Sequence, residues 1–266
     1  MSTAPSRTEP GALGAALRGR RDAGGKCLVP YLSAGLGEWT ATLGAAAQAG
    51  ADAIEVGIPF SDPVMDGPVI QQANDRALAA GATPAGILDE LSRADVGVPL
   101  AVMTYVNLVF RFGYDRFARS LLEAGVTGAI LPDLPLDEAG EWCEVADAVG
   151  IDTVMLAAPT ASDERLRRVA ARSRGFLYAV GLVGITGERE SLAATAKVIA
   201  ARAKEVTDLP VLVGVGVSTP EQAVDVCEVA DGVVVGSAFV RRALETGSSE
   251  AVGDLVGEFR EALERG

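Results

Sequence analysis

The residues of this chain that could do acid–base chemistry are carboxylates and tyrosines. Its 266 residues include no histidine, which removes the usual general base, the commonest metal ligand and any histidine-containing triad. Lysine occurs only at Lys26, Lys197 and Lys204. None of them falls at the C-terminal end of a predicted strand, where a Schiff-base lysine of a barrel enzyme would stand. Glu55 is the one charged residue of the run 53–58, a short apolar stretch bounded by glycine and proline that reads as a buried strand. Side chains alternate across a strand, so Ile54, Val56 and Ile58 share one face and Ala53, Glu55 and Gly57 the other. With the branched face against helices, the carboxyl points into an interior, where an unpaired carboxylate is costly and tends to keep its proton. Either a hydrogen bond satisfies it or it is kept as an acid. Ser61-Asp62-Pro63 and Asp66-Gly67-Pro68 add acids just past the strand's end, which favours the second reading.

Three late strands end in glycine, at Gly184-Ile-Thr-Gly187, Gly214-Val-Gly216 and Gly236-Ser237. Such glycines either permit tight turns or let backbone N–H groups approach an anion. A short helix from near Ala238 would add its unpaired N-terminal donors, and Ser237 a hydroxyl. The coincidence of all three favours a phosphate. Tyr105 follows the third strand and Tyr178 lies in the sixth; both could line the space between the acids and the glycines, or only pack. Asp133 is a further polar group there or a turn-former beside two prolines. An anion cradle on one side, carboxylates on the other and apolar material between suit a phosphorylated substrate with a flat apolar end.

Positioning these groups takes strands at 27–32, 53–58, 100–104, 127–131, 151–156, 176–180, 210–213 and 232–235. Helices are expected at 12–21, 39–48, 68–78, 84–93, 114–124, 136–149, 162–173, 191–206, 220–229, from near 238, and at 250–264. Eight strand–helix units with short connections predict an α/β fold, a single (β/α)8 barrel. An extra N-terminal helix would plug its bottom, and inserted helices follow strands 2 and 8. Residues 1–10 read as a flexible tail and 11–266 as one domain. No Gly-x-Gly-x-x-Gly opens a helix after the first strand, which weakens a dinucleotide-binding alternative.

Composition narrows the partners. With 49% hydrophobic residues the chain can bury a sizeable core, and its net charge of −13 without a Lys/Arg cluster opposes nucleic acid and anionic membranes. No apolar run approaches the roughly 20 residues that span a bilayer. The N-terminus lacks a signal peptide's apolar core, so a cytoplasmic location is expected. Cys27, Cys143 and Cys227 read as reduced core residues.

The segments Glu55 to Pro68, Tyr105 to Phe110, Pro132 to Pro135, Gly184 to Gly187, Gly214 to Gln222 and Gly236-Ser237 resemble, in order, the signature of the tryptophan synthase alpha subunit family. The resemblance implies a TIM-barrel lyase of tryptophan biosynthesis that splits indole-3-glycerol phosphate into indole and D-glyceraldehyde 3-phosphate by retro-aldol cleavage. It gives Glu55 and Asp66 the catalytic places, and Tyr105, Asp133, Tyr178 and Thr186 substrate-binding places. Gly187, Gly214, Gly216, Gly236 and Ser237 match phosphate-binding positions. It implies no metal and no cofactor in this chain, with pyridoxal phosphate in a partner beta subunit of an α2β2 tetramer. Asn107, with Phe60, Val64, Leu108, Val109 and Phe110, would face that partner, or these apolar side chains fold inward as core. The chain departs from the family at Leu36, where aspartate is frequent, at Leu182 in place of arginine, and at Val215 in place of phenylalanine.

The chemistry fits these residues. Cleavage needs an acid to protonate indole C3 and a base to take the proton of the hydroxyl that becomes the aldehyde, and one glutamate with a raised pKa can do both in turn. A second, ionised carboxylate can stabilise the cationic ring. A sugar-phosphate isomerase or epimerase usually needs histidine, lysine or a metal. A catalytically idle subunit that only activates its partner has no use for both Glu55 and Asp66.

Overall fold

In the computed structural model, residues 11–181, 189–214 and 216–266 are described. Eight parallel strands each pair with their neighbour in sequence, and β8 returns to β1 to close the barrel. They are β1 (Cys27–Ser33), β2 (Ile54–Gly57), β3 (Leu100–Met103), β4 (Val126–Ile130), β5 (Asp152–Ala157), β6 (Leu177–Ala179), β7 (Val211–Val213) and β8 (Gly232–Val235). Helix α1 (Ala12–Asp22) precedes β1, and α2 (Trp39–Gln48) joins β1 to β2. Two helices, α3 (Pro68–Ala79) and α4 (Pro84–Leu91), follow β2, and two more, α5 (Val106–Phe112) and α6 (Tyr114–Glu123), follow β3. Single helices α7 (Gly140–Val149), α8 (Asp163–Arg172), α9 (Arg189–Lys204) and α10 (Pro220–Cys227) make the later connections. After β8 come α11 (Ser237–Thr246) and α12 (Ser249–Arg265). The barrel, the N-terminal helix and the paired helices after β2 and β8 agree with the sequence reading.

Two elements differ from it. The segment after β3, read as a loop, forms α5. Its N-terminus has no local side-chain cap; instead the carboxylate of Asp133, from the loop after β4, accepts the Val106 N–H at 2.9 Å. Helix α7 starts at Gly140 rather than 136, because 136–139 are held in turns by Glu138 N–H to Pro135 O and Ala139 N–H to Leu136 O. Asp137 in that turn pairs with Arg165 and Arg168 of α8.

The pleat of each strand sorts its side chains into two cores. Ile54, Val56 and Ile58 join Leu28, Leu32, Val102 and Val213 in the shell between strands and helices. Ala53, Val29, Tyr31, Ala101, Val154, Tyr178, Leu212 and Val234 face the barrel axis. Helix α1 plugs the bottom. Leu13 and Leu17 bury completely in the inner core, and the Asp152 carboxylate of β5 accepts the Gly11 and Gly14 N–H groups at 3.2 and 3.1 Å. Those donors have no partner inside the helix, so a carboxylate there satisfies them and meets the positive end of the dipole.

The same end is latched by Arg260 of α12. Its guanidinium donates to Gly50 O and Lys26 O, both at 2.9 Å, and to Asp52 Oδ2, which also accepts the Leu28 N–H at 2.8 Å. The three cysteines are free and buried, and burial pushes the Cys27 and Cys227 thiols up to about 12. Among the described residues no helix is long and apolar enough to cross a membrane.

Candidate active site

The inner faces of the strands leave a cavity of about 390 Å³ at the barrel's C-terminal end. Glu55 stands on its wall, fully buried. Strand register puts it beside Tyr31 of β1 and Ala101 of β3, and all three point inward. Neither carboxyl oxygen makes a hydrogen bond of good geometry, although the Tyr178 hydroxyl lies close enough to act on the group. Burial, reinforced by the nearby charge of Asp66, pushes its pKa from 4.5 up to about 8, although the Tyr178 hydroxyl favours the ionised form. Such a group holds its proton at neutral pH and can release it, as an acid–base catalyst must.

Asp66 lies in the loop between β2 and α3 and also lines the cavity. Its Oδ2 accepts from Asn74 Nδ2 at 3.2 Å, and the Tyr105 hydroxyl lies against the same carboxylate. Burial raises the pKa of Asp66, and these two hydrogen bonds partly oppose it. Asn74 is itself buried on α3, and its Oδ1 has no partner. The two acids are therefore set apart: Glu55 fully buried with only the Tyr178 hydroxyl beside it, Asp66 half-buried and held by Asn74 and Tyr105.

Tyr178 lines the cavity opposite, and burial pushes its hydroxyl well above the ordinary range. Its ring explains Gly214, since a Cβ there would lie 1.9 Å from Tyr178 Cε2. Gly216 answers a different need, with φ of +85° in the left-handed region. At Gly236 a Cβ would meet only ordinary contacts with Tyr31 and Ile70, so packing does not demand the glycine. Gly214, Gly216, Gly236 and Ser237 all line the cavity, and Gly236 and Ser237 open α11 there. The backbone thus presents an unpaired helix end and glycine loops to the cavity.

Tyr105 and Asp133 do not line the cavity. The Tyr105 hydroxyl accepts the Met65 N–H at 3.1 Å and its ring stacks on Phe60, so it steadies the acidic loop from behind. Asp133 caps α5. Thr186 and Gly187, like the tail 1–10, Leu182 and Val215, lie outside the described residues. Leu36 packs against the inner core.

Sequence reasoning missed Tyr31, Asn74 and Arg241. Tyr31 fills the inner wall so closely that a Cβ on Gly57 would lie 2.0 Å from its hydroxyl. The alternation that put Glu55 inside, applied to Cys27, Val29, Tyr31 and Ser33, would have found it.

The rim beside Asp66 exposes apolar side chains. Val64 is 77% and Phe110 71% exposed, with Met65, next to Val64 in sequence, at 53%. Val109 is fully buried, while Phe60 and Leu108 are half-buried and Asn107 is exposed. The apolar residues expected at the mouth therefore divide, with Val64 and Phe110 outside and Val109 in the core.

The model of the family described as tryptophan synthase alpha chain matches residues 18–261. A tryptophan synthase alpha chain of Thermobifida fusca is 44% identical over 250 residues, which cover 91% of this chain and 93% of that one. One from Streptomyces coelicolor is 46% identical over 234 residues, 86% of each. Among solved structures, Mycobacterium tuberculosis tryptophan synthase superposes with a TM-score of 0.89 at 37% identity, covering 97% of this chain and all of that one. The alpha subunit from Legionella pneumophila gives 0.86 at 35% identity, with 97% of this chain and all of that one covered.

Proposed function

Because the chain belongs to the tryptophan synthase alpha chain family, we propose that Glu55 and Asp66 carry the carbon–carbon lyase reaction by which it cleaves indole-3-glycerol phosphate in tryptophan biosynthesis. The observation that carries the assignment is the pair of unlike carboxylates: Glu55 fully buried without a well-formed hydrogen bond and Asp66 held by Asn74. Protonated Glu55 gives its proton to indole C3, which makes a cationic indolenine. Asp66, ionised, accepts the ring N–H and offsets the positive charge as it forms. The glutamate, now a base, takes the proton of the glycerol hydroxyl next to the ring. The C–C bond breaks, its electrons restore the indole, and the hydroxyl carbon becomes the aldehyde of glyceraldehyde 3-phosphate. Each step begins with the protonation state the previous one leaves, and the cycle closes with Glu55 again protonated.

Tyr178 and Tyr31 shape the space for the ring, while Tyr105 acts through the acidic loop and Asp133 through α5. The phosphate sits against Gly214, Gly216, Gly236 and Ser237; the family resemblance adds Gly187 to the phosphate-binding positions and Thr186 to the substrate-binding ones. No cofactor takes part in this chain. No lysine is placed to hold an aldehyde cofactor as a Schiff base: Lys26 donates to Ala230 O, Lys197 pairs with Asp225 and Glu228, and Lys204 pairs with Asp231, so none reaches the cavity. The partner is a beta subunit carrying pyridoxal phosphate in an α2β2 assembly. The apolar rim of Val64, Met65 and Phe110 favours such a contact, because exposed patches of this kind mark interaction sites.

The test is turnover of indole-3-glycerol phosphate by the isolated chain, followed through aldehyde release, with Glu55→Gln beside it. Near-normal turnover by the folded variant would overturn the assignment.

A further inference from the structure

Among the described residues that line the cavity, three are charged: Glu55 and Asp66, and Arg241 on α11. Arg241 stands four residues after Ser237, so both lie on one face of α11, the face turned to the glycine loops. Its guanidinium makes no hydrogen bond or ion pair with the described residues, although Glu245 lies one turn further on and shares its rim. Its neighbours are engaged: Arg242 reaches Ala251 O, and Arg76 reaches Leu244 O. Arg241 is thus an uncommitted cation beside the glycine loops of a cavity whose lining also holds two acids.

We infer that Arg241 is a phosphate-binding residue that selects phosphorylated over unphosphorylated indole glycerol. The inference rests on the lyase reading above and extends it to a residue outside the glycine cradle. Substrate phosphate is a dianion that must approach a chain of net charge −13. Glycine N–H groups and the α11 terminus offer donors but only about half a unit of positive charge. A guanidinium supplies a full charge and a planar fork that matches two phosphate oxygens. Because Arg241 is exposed, pairing with the phosphate strips little water from it, and salt screens the attraction.

The experiment compares wild type, Arg241→Gln and Arg241→Lys on indole-3-glycerol phosphate and on unphosphorylated indoleglycerol, at low and high salt. For Arg241→Gln we expect KM for the phosphorylated substrate to rise ~2- to 5-fold with kcat little changed, the scale of one exposed charge–charge contact. The ratio of kcat/KM between the two substrates falls by the same factor, and the loss of kcat/KM at high salt flattens. Arg241→Lys, which keeps the charge without the fork, falls between. An equal loss on both substrates, or none on either, overturns the inference. Calorimetric titration with inorganic phosphate separates it from the lyase reading. A wild type that binds phosphate more tightly than Arg241→Gln but cleaves neither substrate keeps the Arg241 site and sinks the lyase. Equal phosphate affinity in both proteins sinks the Arg241 site, whatever the turnover.

Discussion

Replacing Glu55 with glutamine should remove activity and add stability, and the second effect depends on pH in a way that can be worked out. The carboxyl titrates at its ordinary 4.5 in the unfolded chain and at about 8 in the folded one. Between those values the native state keeps a proton that the unfolded chain has released. Wild-type stability is therefore full below 4.5 and falls as pH rises through about 8. At roughly 1.4 kcal/mol per pH unit the penalty reaches at most about 3 kcal/mol at neutral pH and about 5 above pH 8. Glutamine fills nearly the same volume and cannot ionise, so its unfolding free energy lacks this slope. Urea unfolding of both proteins at a series of pH values from about 5 to about 8 gives the two curves, which should diverge as pH rises. On the activity side, kcat/KM of the wild type falls above about 8 as Glu55 loses the proton it must donate. The variant is slower by at least ~100-fold at every pH. Parallel stability curves would refute the reasoning, because they would mean that the buried carboxyl titrates normally.

Gly214→Ala drives a Cβ into the Tyr178 ring and should cost about 1–3 kcal/mol in urea unfolding together with a fall in kcat/KM. Adding Tyr178→Leu should recover stability without recovering activity, and a fully stable single variant would contradict the clash. Asn107→Asp, at an exposed position of α5, should weaken association with the beta subunit in a binding titration and leave the isolated melt unchanged. Val109→Ala, fully buried on the same helix, should do the reverse, losing about 1–3 kcal/mol of stability at near-normal affinity. Arg260→Met removes one of the partners of Asp52, which keeps the Leu28 N–H and the Arg20 contact, and should cost about 1–3 kcal/mol in urea unfolding. Turnover of the folded Arg260→Met variant should stay near normal, because the latch lies at the opposite end from the cavity.

What the sequence made legible was whatever depends on neighbours along the chain. Glu55 could be placed on the inner wall because a period of two fixes its face relative to Ile54 and Val56. The helix expected from 162 could be placed because its cap is local, the Ser162 hydroxyl accepting the Arg165 N–H three residues away. Helix α5 could not be read, because its cap is Asp133, 27 residues further on, and a cap from another loop leaves no local pattern. The same helix decides that Val109 turns inward and Phe110 outward, a division invisible while the segment read as a loop. Asn74 sits on a helix that was expected, but only the fold of the loop before it brings Asp66 to its amide. Arg241 was within reach, since four residues separate it from Ser237 on an expected helix; what was lacking was the wall of the cavity it faces.

The two-sided pleat also bears on how such a chain can change over generations. A mutation among Ile54, Val56, Val102 or Val213 alters the shell under the helices, while the groups on the cavity wall hang from the other side of the same backbone. Lineages can then drift in thermal tolerance through one set of positions while selection for substrate acts on the other. Warm and cool habitats could reshape the shell again and again, and the wall bearing Glu55 would pass through each of them almost untouched.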